Sequence, residues 1–166
     1  FKSINSNTNN IFSFFIKKSL RLGKYVSLIV PKSLLNAPEF DKTKEILEKN
    51  GLQKICDYGE KAFRGVKIET ISFLSSTSFS DKKIIIESYI RKSYLELEKE
   101  YIFSKDFPYW LIYRDENFDK VMSKMKPAVF NSFRDRQITK TITLDKGEIR
   151  VLKSRNIGNN EIKDIE

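Results

Sequence analysis

The chain has 166 residues, 40% of them hydrophobic and 13% aromatic, enough for one domain with a buried core, or a part-domain and a short second element, and too apolar for disorder throughout. Its net charge of +9, with an isoelectric point near 9.5, fits a polyanionic partner, nucleic acid first, or a Lys-rich surface that serves solubility. With no His and the single Cys56, an internal disulfide, a zinc site and a His-based triad are excluded, and a cytoplasmic protein is expected.

In chain order, residues 9–22 place Ile11, Phe12, Phe15, Ile16 and Leu20 at helical spacing, with Asn9 or Asn10 as cap and Gly23 as stop. Residues 25–30 form a β-branched run closed by Pro31, apolar enough for a parallel strand covered on both faces. Residues 39–50 predict an amphipathic helix with Phe40, Ile46 and Leu47 inward, ended at Asn50-Gly51. Residues 52–58 and 66–74 predict two strands. The short link between them demands antiparallel pairing, and a hairpin at the sheet's edge is expected.

A Ser-rich loop follows, then a strand within residues 82–90 and an irregular aromatic stretch centred on Phe107-Pro108-Tyr109-Trp110. Residues 117–126 predict a helix stopped by Pro127, and the last 30 residues predict short strands with a turn at Lys146-Gly147. No run approaches 18 apolar residues, which excludes a transmembrane helix. The glycines never form G-x-G, so neither a dinucleotide fingerprint nor a P-loop can be drawn.

The segments NNIFSFFIKKSLRLGKYVSLIVPKSLL (residues 9–35) and KICDYGEKAFRGVKIETISFLSS (54–76) resemble the C-terminal half of the catalytic domain of N6-adenine DNA methyltransferases from type I and type II restriction–modification systems. The resemblance covers about residues 8–75, more weakly 105–157, and rests on an ordered set of elements rather than one motif. It implies an α/β fold: half of a Rossmann-like, S-adenosylmethionine-dependent methyltransferase sheet with an edge β-hairpin, then a mixed α+β segment. The divisions expected are 1–80 for the half-domain, 81–130 for a linker region and 131–166 for the start of a target-recognition domain.

The resemblance also implies roles. Phe63 matches the aromatic that stacks on a flipped adenine; spacing alone favours a residue packed under the hairpin, and Arg64-Gly65 and Lys67, which gather cations around it, shift the balance toward stacking. Phe15 matches the ring near the adenine of S-adenosylmethionine, with helix packing as the other reading. Lys32 follows Pro31 where open α/β sheets bind ligands, and either meets DNA phosphate or is a solvated loop lysine. Arg64 and Lys67 are candidates for double-stranded DNA, and so are Lys153 and Arg155, which are otherwise solvated strand-edge charges. The four prolines are never adjacent, so the Asn/Asp-Pro-Pro-aromatic motif of the family is missing. No catalytic or metal-binding residue is assigned, and the chain, which opens on Phe1, is expected to be an inactive fragment of an adenine-N6 methyltransferase with a specificity or restriction partner. A non-catalytic, basic nucleic-acid-binding or assembly module is the alternative.

Overall fold

The computed structural model describes residues 10–78, 81–126, 129 and 157–162. By contacts the chain divides into two units, Phe1–Lys124 and Met125–Glu166. In the second, the described residues form a small bridge between Ile157 and Ile162, with the Gly158 amide donating to the Glu161 carbonyl at 2.8 Å. The expected strands with Lys153 and Arg155, and the turn at Lys146-Gly147, lie outside the described residues.

The first unit is α/β. Helix α1 (Ile11–Leu22) begins where the Asn10 side chain accepts from the Phe12 amide at 3.3 Å, and ends at Gly23. Strand β1 (Tyr25–Pro31) leads through 3-10 turns to α2 (Asp41–Lys49), whose inward face is Phe40, Thr43, Lys44 and Leu47. Strands β2 (Leu52–Gly59), β3 (Thr70–Ser76), β4 (Lys83–Ser88) and β5 (Ser93–Glu98) follow, then the short helix α3 (Lys99–Ile102) and α4 (Glu116–Met122), capped by Asp115. All five strands join one mixed sheet in the order β1-β3-β2-β4-β5. The stretch from β4 to Ile112 shares this sheet and its core.

β2 and β3 pair antiparallel, as the link between them requires, but not at the sheet's edge. β3 is inserted between β1 and β2, antiparallel to both, and β4 lies parallel to β2 on its other side. The crossover through α2 leaves a strand-wide gap between β1 and β2, and the returning chain fills it. The insertion buries Ile71 and Phe73 at the sheet's middle.

Two further expectations are corrected. β3 starts at Thr70, not Val66, because both neighbours stop there: β1 turns away after Pro31, and β2 ends at Gly59 with φ +54°. Among the described residues, 66–69 therefore have no strand partner, and their backbone bonds are local: the Lys32 amide donates to the Glu69 carbonyl at 2.9 Å and the Val66 amide to the Phe63 carbonyl at 3.3 Å. β1 is covered on one face only. Val26 and Val30 join the core, while Tyr25 and Ile29 are exposed. The covered face holds Ile55, Ile71, Phe73, Ile84 and Ile86 under Ile16, Leu20, Leu34, Phe40, Leu47, Ile102 and Trp110.

Candidate functional site

The parallel strands β1, β2 and β4 all end at one edge of the sheet, at Pro31, Gly59 and Ser88. Open α/β sheets bind ligands at this edge, where backbone ends and loop side chains are left free. Residues 32–36, the loop 66–69, the turn at Arg91 and residues 109–114 surround a cleft of about 1050 Å³ there.

Two of its lining side chains, Lys32 and Tyr113, reach back to Asp57, a carboxylate with no exposed surface that does not itself line the cleft. Lys32 Nζ lies 2.9 Å from Asp57 Oδ2, the Gly59 amide donates to Oδ1 at 2.9 Å, and the Tyr113 hydroxyl donates to Oδ2 at 2.5 Å. Ser88 Oγ lies 2.7 Å from the same hydroxyl. Burial pushes the Asp57 carboxyl up, but Tyr113, Lys32 and the Gly59 amide outweigh it and hold the carboxyl below its ordinary value. Burial and the Asp57 charge push the Tyr113 phenol up to about 12. The single phenol proton therefore stays on Tyr113, aimed at the carboxylate.

The segment 103–114 is strapped down by several bonds. Lys44, 5% exposed, donates to the Pro108 carbonyl at 2.9 Å and pairs with Asp41 at 2.9 Å. The Trp110 indole donates to Glu48 at 2.8 Å, and its amide to the Leu35 carbonyl. Arg114 pairs with Asp119 at 2.7 Å and lies over the Tyr101 ring.

The residues singled out from sequence fall into separate places. Phe63 and Arg64 occupy the exposed bend of the loop between β2 and β3, with the Phe63 ring 50% exposed, so it is not packed under the hairpin. Lys67, on the same loop, lines the cleft together with Lys32, and Phe63 does not. Lys32 is turned inward onto Asp57 and is 22% exposed, so it is a paired residue of the cleft wall rather than a solvated loop lysine. Phe15 projects from α1 with 60% exposure, away from the helix's packed face of Ser13, Ile16 and Leu20.

Asp57, Ser88, Arg91 and Tyr113 escape a reading of the sequence. The one signal for them is Asp57 itself, an acid within the otherwise apolar run Ile55-Cys56-Asp57-Tyr58. Among the described residues no group of three His, Cys, Asp or Glu is placed to hold a metal, and no helix is long and apolar enough to cross a membrane.

Residues 1–63 match the family described as Eco57I restriction-modification methylase, which bears out the resemblance to a restriction–modification methyltransferase over the segment from α1 to Phe63. Among solved structures, the type IIG restriction endonuclease BpuSI is similar at 24% identity and a TM-score of 0.41. The similarity covers 51% of this chain and 12% of that one. A search of curated proteins gave no match.

Proposed function

We propose that this chain is the substrate side of a DNA methyltransferase of restriction–modification type, which transfers a methyl group from S-adenosylmethionine to the amino nitrogen of an adenine flipped out of double-stranded DNA. The observation that carries the reading is Phe63. It is the residue at which the family match ends, and its half-exposed ring stands beside Arg64 at the ligand-binding edge of the sheet. Extruding a base costs stacking energy, and an exposed ring returns roughly 1–3 kcal/mol of it. Arg64 and Lys67, exposed and without an ion pair among the described residues, suit the phosphates around that base.

Toward the cofactor the chain offers Phe15, whose exposed ring fits one face of the adenine of S-adenosylmethionine. When bound, the cofactor supplies the methyl group; what this chain adds is a surface that orients it. The reading requires an Asn/Asp-Pro-Pro-aromatic motif from outside these 166 residues, which hold no adjacent prolines. In the proposal, residues 1–80 belong to the catalytic domain, 81–130 to a linker region, and 131–166, with Lys153 and Arg155, to the start of a target-recognition domain. A restriction or specificity partner and a cytoplasmic setting go with it.

The experiment is Phe63→Ala in the full-length protein, read by methylation and by 2-aminopurine fluorescence at the target base. We expect methylation to fall at least tenfold and the fluorescence rise on binding to change. If both stay as in the parent, Phe63 does not hold the base. The absence of G-x-G and of a Pro-Pro pair favours a second reading, a non-catalytic nucleic-acid-binding module. Calorimetric titration of the full-length protein with S-adenosylmethionine separates the two, since the module takes up none.

A further inference from the structure

Two cations lining the cleft have no acidic partner among the described residues: Lys67, and Arg91 in the turn after β4. The Arg91 guanidinium lies 3.8 Å from the centre of the Tyr113 ring. A contact with a ring face fixes the plane of the guanidinium without consuming its N–H donors. Tyr113 is itself anchored by Asp57 and Ser88, so the donor fork rests on a rigid support. Glu69 also lines the cleft, 3.7 Å from Lys32, the cation it answers. Tyr109, 39% exposed, adds an aromatic wall.

Two spare cations, Arg91 held in place by Tyr113, beside an exposed ring match the chemistry of a nucleotide, an anionic phosphate next to a flat base. The position adds to the argument. Lys67 follows Phe63 by four residues, at most about 14 Å of extended chain. A strand that placed a base at Phe63 would carry its neighbouring nucleotides along this loop toward the cleft.

We propose that the cleft is a second nucleic-acid subsite, which takes the phosphodiester and base of a nucleotide flanking the one received at Phe63, with Lys67 and Arg91 on the phosphate and Tyr109 against the base. The identity of the strand rests on the proposed role of Phe63; the ligand chemistry of the cleft does not.

The test is anisotropy of a short labelled DNA single strand titrated with residues 1–166 over a range of salt. Arg91→Gln and Lys67→Gln should each weaken binding severalfold, and each should make the slope of log K against log salt shallower by about 0.7. Tyr109→Ala should weaken binding roughly tenfold and leave the slope alone. Lys49→Gln is the control. It removes an exposed charge in the last turn of α2, beside the start of β2 and so at the opposite edge of the sheet, and should change neither quantity.

Equal effects at Lys49 and Arg91, or none at Arg91 and Lys67, overturn the subsite. Displacement of the strand by adenosine monophosphate as effective, per nucleotide, as unlabelled strand would assign the cleft to a free nucleotide and overturn the strand reading. The Arg91→Gln effect measured again in Phe63→Ala distinguishes the two proposals. If it persists while 2-aminopurine at the target base is unaffected by Phe63→Ala, the cleft stands and the base-stacking role falls.

Discussion

Asp57 shows how one buried residue organises the carboxyl edge of the parallel strands. It has no exposed surface, yet its carboxyl is held below the ordinary value, because Lys32, Tyr113 and the Gly59 amide together overcome the cost of burial. Removing one partner of a buried pair typically costs 3–5 kcal/mol, since the other charge is left without compensation. Lys32 is 22% exposed, so water reaches the pair, and for Lys32→Met we expect about 2–3 kcal/mol in urea unfolding. A loss below about 0.5 kcal/mol would mean that the other two donors suffice. The pH dependence has two limbs. A depressed carboxyl confers stability fully present above its unfolded value, near 4, and lost as pH falls through the folded value. The difference in stability between the parent and Asp57→Asn should therefore shrink below about pH 4. A phenol raised to about 12 binds its proton more tightly in the folded state, so its contribution is complete below about pH 10 and lost on the way to 12. That alkaline loss should be smaller in Tyr113→Phe, and an identical alkaline limb in both proteins would defeat the assignment.

The loop between β2 and β3 carries Phe63 at its bend and Lys67 into the cleft, and two glycines with positive φ set its course. Gly59 has φ +54°, and a Cβ there would come within 2.2 Å of Ile90 Cδ1; Gly65 has φ +79° and open space around it. Gly65→Ala should cost about 1 kcal/mol of backbone strain, and Gly59→Ala about 2–3, since Ile90 must also shift. Equal midpoints in thermal unfolding would contradict this. Much at the element scale is legible in the sequence. Periodicity locates α1, α2, β2 and β4, because their apolar positions face a single core. β5 offers only the short alternation Leu95-Glu96-Leu97-Glu98, because it is an edge strand of the described sheet with most residues exposed, and residues 66–69 look like a strand but have no strand partner among the described residues. The site is less legible for a physical reason. Asp57, Ser88 and Tyr113 come from two strands and a strap, so only the order β3-β2-β4 and the anchoring of Trp110 and Lys44 bring them together.

For the molecule as a whole, two forces oppose each other. The described sheet ends at β1, whose Tyr25 and Ile29 are 65% and 51% exposed, and α1 beside it exposes Ile11, Phe15 and Leu22. An edge strand with apolar side chains favours association with another chain. The net charge of +9 resists it, because like-charged copies repel. Salt screens that repulsion, since the Debye length falls from about 10 Å at 0.1 M to about 3 Å at 1 M, while apolar contacts are not weakened. Self-association should thus rise with salt, whereas the proposed nucleic-acid binding should fall, which keeps the two from being confused. Ile29→Lys adds a charge to the edge without touching the core. In sedimentation velocity at high salt it should reduce self-association, and its unfolding free energy should stay within about 0.5 kcal/mol of the parent's. Unchanged association in this variant would mean that the copies meet elsewhere and that the open edge of β1 is not the contact.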